Sequence, residues 1–524
     1  MPAMVGQPAV KYYPAVKPPP FSNNMSYGFI PPDWFKLKKY PHIGMPVVSG
    51  NARQTVSYII NPSNVAHHQF RPLLRRTLVS YPHRRETADG SKRRKRKERP
   101  LTYASHIDAN IYSYYSDRLQ KKYEEFINEE NLNDVVVAYR RIPCSNGEGN
   151  KCNIHIADDV FKYVKSELAA SREVAVITFD IKGFFDNLDH KIIKRMWNQT
   201  MGQSDMPLDE YKVFRSVTHY SYVDEKDIYN LFRDDILCRK SGKLTKRPVK
   251  CKIDLRKHNA EAYCTTENIK VIKQHSMLIE HKENKGIPQG LPISASLANI
   301  YMRDFDVKVN RYVKSVGGIY KRYSDDIIVV CPIPVARDSK RYVMDSIQDV
   351  KLEIEERKTN LFEIHIVNGS PICYHENEGV KRPIEYLGFA FDGNRVMLKS
   401  ASLGRYYSKM DKDKRRHKRW TISVNNNTNG KVFTNQIVRR FTLAGSVRHH
   451  KLLRQADGLF VQLPDKTFGN YLTYAYKAAS IMNEQSIKGQ LRHNLHRVKK
   501  NIEEIKTDTQ RVHRAQLMAQ LNAI

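Results

Sequence analysis

The chain has 524 residues, of which 88 are Lys or Arg and 55 are Asp or Glu, giving a formal net charge of +33 at pH 7. This length indicates several domains and excludes a minimal binding module. The excess of positive charge predicts a polyanionic partner, with nucleic acid as the first candidate and an anionic membrane as the second.

The sequence predicts a cytoplasmic protein without a membrane span. The apolar stretch at residues 327–336 is about half of the ~20 residues that a span needs, and it contains two prolines. The first twenty residues lack the basic start and apolar stretch of a secretory signal. The seven cysteines include no CxxC pair, which predicts reduced thiols, argues against a disulfide framework and leaves a weak case for zinc.

The composition of residues 1–100 predicts an irregular, basic N-terminal extension. The first part is rich in Pro, Tyr and Asn, includes the run KPPP at Lys17 to Pro20, and has no sustained periodicity. The tract from His83 to Pro100 places Arg and Lys around a Gly turn signal, which indicates a solvated loop or a phosphate-binding tract.

A helix is predicted next, because apolar side chains recur near helical spacing from Ile107 to Tyr123. The segment VVVAYRRIP (135–143) is strand-like and leads into a Gly-rich turn. The pattern IADDVFKYVKSELAA that follows predicts a second helix. A buried strand is then predicted from Val174 to Phe179, ending on Asp180.

Residues 191 to about 285 form a polar, Lys-rich interval with weak patterning, interpreted as a partly helical connection plus an insertion whose role stays open. The segment GIPQGLPISASLANIYM predicts a loop followed by a helix of small residues. The segment GGIYKRYSDDIIVV predicts strand, tight turn and strand, with Ser-Asp-Asp as the turn.

From Ser400 onward the pattern is helical and basic. One amphipathic helix is predicted over QSIKGQLRHNLHRVKKNIEEI, with Arg492, Arg497, Lys499 and Lys500 on its polar face. Its apolar face would be formed by residues that step by three or four: Ile487, Leu491, Leu495, Val498, Ile502 and Ile505.

The aspartates at the strand end and in the hairpin turn, Asp180, Asp325 and Asp326, are expected to converge. Three such carboxylates would repel one another and partly neutralise. Two divalent cations about 4 Å apart would remove the repulsion, one activating a hydroxyl and the other steadying leaving pyrophosphate oxygens. Oxygen-only ligands favour two Mg²⁺ ions, with Mn²⁺ as an alternative. For the Asp-Asp dipeptide alone, a simple turn-forming role is the alternative.

These motifs, in this order, resemble those of the reverse transcriptases, specifically the bacterial enzymes related to group II intron, retron and phage-defence proteins. FDIKGFFDNLDH resembles their first catalytic motif, GIPQGLPISASLANIYM the Pro-Gln-Gly motif, and YSDD the Tyr-x-Asp-Asp motif. LEIEERKT and EYLGF resemble the two motifs that close the palm. The resemblance extends roughly from Val135 to Phe389.

The resemblance implies an α/β (α+β) right-hand polymerase fold. Fingers are expected at 101–175, and a palm of antiparallel sheet plus helices at 176–400, including a fingers segment and the insertion. A helical thumb and basic C-terminal extension would occupy 401–524. Helices there, including Lys412 to Trp420, would grip a duplex or structured RNA through its phosphates.

The resemblance also implies roles for single residues. Asp180 and Asp325 would hold the metal ions together with the backbone carbonyl of Ile181. Asp326 would support the site and is less strongly indicated as a direct metal ligand than Asp180 and Asp325. The bulky ring of Phe185 would lie under the sugar of the incoming nucleotide and exclude a 2'-hydroxyl, which favours deoxynucleotides.

Four further roles follow from the same resemblance. Gln289 would touch the template strand or the nascent pair, with Gly290 beside it, and Tyr323 would abut the primer end. Lys358 matches the lysine thought to protonate departing pyrophosphate in such enzymes.

The fingers resemblance places cations near the nucleotide's triphosphate. Arg140 or, equally, Arg141 would clamp the triphosphate together with Lys151, since a guanidinium fork and a point charge both suit phosphate. Solvated surface cations are the alternative interpretation of these three residues.

The branch of the family is indicated by two features. No cysteine follows residue 373 and the C-terminal part is short for an added nuclease module, which disfavours a mobile intron enzyme. The stretches YASHIDANIYSYYS, VVVAYRRIP and GNKCNIHIADDVFKYV resemble the abortive-infection and defence-associated branch.

The leading hypothesis is therefore an RNA-directed DNA polymerase that copies a bound noncoding RNA in antiphage defence. Its partners would be RNA, the DNA product and deoxynucleoside triphosphates, with a homo-oligomer or a second defence protein left open. Untemplated or protein-primed DNA synthesis would use the same carboxylates. A non-catalytic RNA-binding scaffold and an RNA-copying RNA polymerase are further alternatives, and Phe185 opposes the last.

Overall fold

The computed structural model describes residues 29–80, 85–86, 92–93, 97–144, 147, 149–376, 379–422, 434–444, 448–454 and 460–522. Side chains at 85–86, 92–93, 448–454, 460–468 and 520 are outside this description. The KPPP run and most side chains of the basic tract from His83 to Pro100 lie outside the described residues.

The strands of the described chain are, in order, β1 His42–Ile43, β2 Leu73–Ser80, β3 Arg85–Glu86, β4 Lys92–Arg93, β5 Lys97–Tyr103, β6 Val174–Asp180, β7 Ser221–Asp224, β8 Ile236–Lys240, β9 Lys243–Arg247, β10 Ala260–Cys264, β11 Ile279–Glu280, β12 Ile319–Tyr323, β13 Asp326–Pro332, β14 Asn360–Val367, β15 Ser370–His375, β16 Ile384–Tyr386, β17 Phe389–Phe391, β18 Val396–Leu398, β19 Arg448–Arg454 and β20 Phe460–Phe468.

The α-helices of the described chain are, in order, α1 Ala52–Ile60, α2 Pro62–Ala66, α3 His106–Glu129, α4 Asn153–Ala169, α5 Phe184–Asn187, α6 His190–Met201, α7 Leu208–Thr218, α8 Glu225–Phe232, α9 Ile269–Gln274, α10 Ser294–Tyr301, α11 Arg303–Ser315, α12 Ala336–Asp349, α13 Ser400–Ile422, α14 Asn435–Phe441, α15 Tyr471–Ile481, α16 Gln485–Leu491 and α17 Asn494–Leu521.

The chain divides into two compact units. Of the described residues, the first unit contains 29–140 and 177–359, and the second contains 141–176 and 360–522. The division falls within β6, whose first three residues belong to the second unit.

The first unit contains the predicted hairpin. Strands β12, β13 and β6 follow one another in one sheet, and β12 and β13 pair antiparallel from Ile319 with Val330 to Tyr323 with Asp326. The apolar run after Asp326 is buried, with residues 327–330 all at 1% exposure or less. This burial anchors the hairpin, as the alternation of apolar runs and turn signals predicts.

The N-terminal strands of the first unit pair with strands of the 191–285 interval. β1 pairs with β10, and β2 pairs in parallel with β7 and antiparallel with β5. The β2–β7 junction carries two ion pairs, Arg75 with Asp224 and Arg76 with Glu225, both at 2.8 Å. The prediction of an irregular extension is therefore wrong for the described residues 42–80. It failed because the partners of these strands lie far along the chain.

The second unit combines α4 with the C-terminal elements. β14 pairs antiparallel with β15, and β16, β17 and β18 form a small antiparallel sheet. Phe161 of α4 stacks on Phe391 of β17 with 4.9 Å between ring centroids. Ion pairs join α13 to α17, Lys414 with Glu504 at 2.8 Å and Lys418 with Asp508.

Several predicted elements are confirmed in the described chain: α3, α4, β6, α10 and the β12–β13 hairpin. The predicted strand at 135–143 is wrong, because this segment forms only two isolated bridges, Val136 with Arg322 and Pro143 with Asn150, and Tyr139 has a φ of 61°. The predicted single helix over 485–505 is divided into α16 and α17, and Leu495 is consequently 53% exposed. No helix of the described chain combines the length and the apolar character that a membrane crossing requires.

Candidate active site

Two backbone hydrogen bonds fix the end of β6, one to the hairpin turn and one to Glu355. The Ile181 N–H donates to the Asp325 carbonyl at 3.2 Å, and the Glu355 N–H donates to the Asp180 carbonyl at 2.8 Å. Five of the seven β6 residues are buried, whereas Thr178 and Asp180 are partly exposed. The apolar strand thus fixes the backbone, and its last residue presents a carboxylate that is 23% exposed.

The turn between β12 and β13 consists of Ser324 and Asp325, because Tyr323 and Asp326 are already paired across the hairpin. The predicted Ser-Asp-Asp turn is therefore one residue too long. Asp325 is half-buried and Asp326, the first residue of β13, is exposed. The two carboxylates consequently occupy different positions, one in the turn and one on the strand.

Ser324 adopts a left-handed backbone conformation, with a φ of 61°. This conformation costs a residue with a Cβ about 1–2 kcal/mol. Its carbonyl accepts from the Arg322 guanidinium at 3.4 Å, and its hydroxyl lies 3.2 Å from the Tyr139 hydroxyl. The surrounding contacts therefore hold a strained turn at the site, as is common where geometry serves function.

A buried ion pair lies directly beneath this turn. Arg322 donates to both carboxylate oxygens of Asp306 on α11, at 2.8 and 2.6 Å, and both side chains are fully buried. Tyr320 also donates to Asp306, at 2.7 Å, and Arg322 reaches Asn299 at 3.4 Å. Burial alone would lower the pKa of Arg322, but the Asp306 carboxylate outweighs it and the net pKa is raised.

This network and the contact of Tyr139 with the turn were not predicted from the sequence. The signal available was a pair of cations, Lys321 and Arg322, inside an otherwise apolar strand pattern. A charge at such a position needs a buried partner, yet the sequence does not identify Asp306 as that partner.

Lys358 contacts the aspartate at the end of β6. It ends the short 3-10 turn Glu356–Lys358, and its Nζ lies 2.5 Å from an Asp180 carboxylate oxygen. This hydrogen bond is the main cause that raises the Lys358 pKa, and the charges of Glu355 and Asp325 contribute further. The ammonium thus lies within the field of both predicted metal-binding aspartates.

The donor chemistry of this region fits a hard divalent cation. Carboxylates of Asp180 and Asp325 and the carbonyl of Ile181 offer oxygen only, which suits Mg²⁺ when substrate phosphates supply further ligands. Within the described ranges, no three acidic, His or Cys side chains converge into a preformed metal site. Instead, the Lys358 ammonium provides the positive charge at Asp180.

Phe185 and the Pro-Gln-Gly loop are joined by the backbone. The Ile287 N–H donates to the Phe185 carbonyl at 2.9 Å. Burial raises the pKa of the Asp186 carboxyl, and the nearby Gln289 side chain opposes that shift. Phe184 belongs to the core at 4% exposure, whereas the Phe185 ring is half-buried. Phe185 is therefore the ring of this pair that remains accessible to a ligand.

The predicted triphosphate cations occupy different environments. Arg140 is 3% exposed, and its guanidinium donates to Glu124 and to groups of Asn133 and Val136 at 2.5–3.1 Å. All of its donors are engaged, so the prediction that Arg140 clamps a triphosphate is corrected: it closes the 133–140 loop onto α3. Arg141 and Lys151 belong to the second unit, where Arg141 is exposed and Lys151 contacts Asp159 at 2.9 Å.

Gly290 allows the loop to approach β5. Its φ is 108°, and an added Cβ would lie 2.5 Å from the Thr102 carbonyl oxygen. Thr102 also donates its N–H and its hydroxyl to the Gln289 carbonyl, at 2.8 and 3.0 Å. The loop that carries Gln289 is thus held against the end of β5.

Replacing Gly290 with alanine is expected to lower the free energy of unfolding by roughly 2–5 kcal/mol, because the methyl group adds both backbone strain and a clash. Urea denaturation measures this loss. Gly202→Ala is the matched control, since Gly202 also has a positive φ, 67°, but open space at its Cβ. That control should lose only about 1–2 kcal/mol, and equal losses for the two variants would contradict the role of the close approach.

The sheet carries aspartates at a strand end and in a hairpin turn, next to a Pro-Gln-Gly loop. This arrangement defines a right-hand nucleic-acid polymerase, and the predicted fold class is confirmed. Residues 91–391, more than half of the chain, match the family model described as reverse transcriptase (RNA-dependent DNA polymerase). The chain belongs to the reverse transcriptase family. The description of this family agrees with the predicted enzyme class, an RNA-directed DNA polymerase and hence a nucleotidyltransferase.

No curated protein matches the sequence. Among solved structures, apo telomerase from Candida tropicalis is similar at 13% identity and a TM-score of 0.35, over 80% of this chain and 61% of that chain. A form truncated from its C-terminal domain has 12% identity and a TM-score of 0.35, over 58% and 53%. Telomerase from Candida albicans in complex with a TWJ fragment of telomeric RNA has 12% identity and a TM-score of 0.34, over 88% and 62%. The chain spans less than two-thirds of each of these three structures.

Proposed function

We propose that this chain is an RNA-directed DNA polymerase whose chemistry depends on Asp180 and Asp325. The observation that carries the proposal is the hydrogen bond from the Ile181 N–H to the Asp325 carbonyl, 3.2 Å long. It joins the residue after Asp180 to the turn residue Asp325, so two carboxylates start from adjacent points of the backbone. Both side chains keep partial exposure, which leaves them accessible to ions and substrate.

The proposed cofactor is a pair of Mg²⁺ ions, with Mn²⁺ as the alternative. When bound, such ions would activate the primer hydroxyl and stabilise the leaving pyrophosphate oxygens. Asp180, Asp325 and the Ile181 carbonyl would hold them, and Asp326 would support the site from the first position of β13. The oxygen-only donor set supports this choice.

Lys358 has a place in this proposal as a mobile counter-charge. Its side chain is 58% exposed and contacts Asp180. A flexible ammonium at this position could exchange the carboxylate for a triphosphate, because Lys binds phosphate as a point charge. From there its Nζ would donate a proton to the departing pyrophosphate.

The neighbouring residues would orient the substrates. Phe185 would contact the sugar, Gln289 the template strand or nascent pair, and Tyr323 the primer end, while Gly290 permits the loop to approach β5. Arg141 and Lys151 remain candidates for the triphosphate contact.

The template and the biological role are part of the same proposal. We infer a bound noncoding RNA as template, copied in the cytoplasm of a bacterium as part of antiphage defence. The motif resemblance to the abortive-infection branch supports the defence role, and the net charge of +33 supports a polyanionic partner.

Incubation of the purified protein and its co-purifying nucleic acid with labelled deoxynucleotides and Mg²⁺ tests the proposal. Incorporation that stops after RNase treatment, with a product complementary to a co-purified RNA, is the expected result. Products whose migration changes on protease treatment would support protein-primed synthesis instead. Absence of any incorporation, with RNA still bound, would support a non-catalytic scaffold.

Replacing Phe185 with alanine is expected to lower the preference for deoxynucleotides over ribonucleotides by about tenfold or more, because a cavity replaces the ring that excludes the 2'-hydroxyl. The ratio of kcat/KM for the two nucleotide types measures this preference. Phe185→Tyr keeps the ring and should keep the preference. Unchanged selectivity in Phe185→Ala would refute the steric role.

A further inference from the structure

The interval that separates the first catalytic motif from the Pro-Gln-Gly motif is a folded body of the first unit. Its strand β8 pairs with β10 and with β9, and its apolar core includes Val223, Ile236 and Tyr263, all fully buried. Two N-terminal residues, Ile43 and Leu74, belong to the same core. The interval is thus a stable platform, and its surface can be considered as an interaction site.

One part of this platform, residues 239–257, carries a high density of positive charge and is called the basic segment below. It comprises the end of β8, the whole of β9 and the chain that follows. It contains nine Lys or Arg residues and a single acidic residue, Asp254.

With partners among the described residues, two of these nine cations form ion pairs. Arg239 contacts Glu261 at 2.7 Å, and Lys252 contacts Glu225 at 2.9 Å. The others form no ion pair with the described residues, and all are exposed except Arg247, which is half-buried: Lys240, Lys243, Lys246, Arg247, Lys250, Arg256 and Lys257. The basic segment therefore presents charge that the described part of the chain leaves unneutralised.

The tip of the β8–β9 hairpin concentrates this charge. Lys240 and Lys243 are directly opposite each other across the two-residue turn Ser241–Gly242, whose φ angles are 48° and 79°. Like charges in directly opposed positions destabilise a hairpin. The Arg239 guanidinium donates to the Gly242 carbonyl at 2.8 Å and holds the turn in place. A polyanion bound at the tip would remove the repulsion.

The composition of the basic segment indicates which polyanion it fits. Residues 239–257 contain no Phe, Tyr or Trp, so they offer no aromatic ring on which an unpaired base could stack. Double-stranded RNA is bound chiefly through phosphates and 2'-hydroxyls, with little dependence on base stacking.

We propose that the basic segment binds the phosphate backbone of a double-helical part of the template RNA. This proposal rests on the proposed function, because it assigns a second contact to the same RNA. This contact supplies affinity without sequence choice and is separate from Asp180 and Asp325. It gives the platform the role of an RNA anchor.

The test uses the full chain with Lys240, Lys243 and Lys246 all replaced by Gln. Binding to a 20-base-pair RNA duplex is measured by fluorescence anisotropy over a series of KCl concentrations. Loss of three phosphate contacts should reduce the slope of log K against log salt by about 2–3. The dissociation constant at low salt should rise at least about tenfold.

The control variant replaces Lys121, Lys122 and Lys314 with Gln, which removes the same charge from the same unit. Lys121 and Lys122 already pair with Asp117 and Glu125 on their own helix, so duplex affinity should change little. Equal losses in the two variants would overturn the proposal, because they would reduce it to an effect of net charge. Unchanged melting temperatures verify that both variants fold.

Three further arms decide between partners. A loss confined to the duplex, with single-stranded RNA of equal length bound as before, supports the proposal, whereas a loss confined to the single strand overturns it. If the Lys240, Lys243 and Lys246 variant bound the duplex as before but lost binding to polyglutamate, the proposal would be overturned in favour of an acidic protein as the partner. Extension of a short preannealed primer–template is measured separately for the wild type and both variants. An inactive wild type would refute the proposed function, while the duplex-binding result would still decide whether the basic segment anchors RNA.

Discussion

Substitution of Asp325 by asparagine is expected to lower the rate of deoxynucleotide incorporation by at least about a thousandfold, because the variant keeps the size of the side chain and loses its charge. Asp325 lies in the turn, half-buried, and its carbonyl accepts from Ile181. Asp180→Asn should cause a loss of the same order, since Asp180 ends the adjacent strand. Initial rates of single-nucleotide addition at saturating Mg²⁺ and nucleotide measure both losses.

The neighbouring aspartate is the matched control. Asp326 is exposed and is the first residue of β13, so its replacement by asparagine should cost less, on the order of tenfold. Melting temperatures of the three variants verify that the losses are not due to unfolding. Full activity of Asp325→Asn, or a larger loss for Asp326→Asn, would contradict the assignment of Asp325 as the principal residue of the turn.

Replacement of Arg322 by methionine is expected to reduce the free energy of unfolding by about 3–5 kcal/mol, because it leaves Asp306 as an uncompensated buried charge. Both side chains are fully buried, and two hydrogen bonds connect them. Because Arg322 also donates to the Ser324 carbonyl, nucleotide addition should fall as well. Urea denaturation and the incorporation assay measure the two effects.

Two controls identify the cause of that loss. The double variant Arg322→Met with Asp306→Leu should recover part of the stability, since neither charge then remains buried alone. Asp349→Asn removes an exposed ion pair with Lys308, 2.6 Å long, and should cost less than about 1 kcal/mol. If Arg322→Met were as stable as Asp349→Asn, the ion pair would not support the hairpin.

The sequence predicts the parts of the site whose signals are local. The apolar run ending on Asp180, the paired strands around the turn and the small-residue helix α10 are each determined by residues within one short window. The exact turn length is not local in this sense. Asp326 belongs to β13 because it pairs with Tyr323, and only the register reveals that pairing.

The predictions that proved wrong depend on contacts whose partners the sequence does not identify. Arg140 resembles a free cation in the sequence, yet Glu124 and the 133–136 backbone engage it. The strands of the N-terminal part lack a clear pattern because β1 and β2 complete sheets with β10 and β7. Burial of Arg322 likewise depends on Asp306, which lies one helix earlier. The residue type at either position does not by itself reveal such a pairing.

The pairing of β2 with β7 also has a consequence for the order of events during synthesis. Arg75 and its partner Asp224 are 149 residues apart, so at about 5–20 residues per second the ribosome delivers the partner roughly seven to thirty seconds later. For that time one edge of β2 has no strand beside it, and unpaired edges invite aggregation. Arg75 and Arg76 are the kind of charged residue that discourages such contacts. The same two arginines are thus suited to discourage wrong contacts before β7 is made, and they pair with Asp224 and Glu225 in the folded chain.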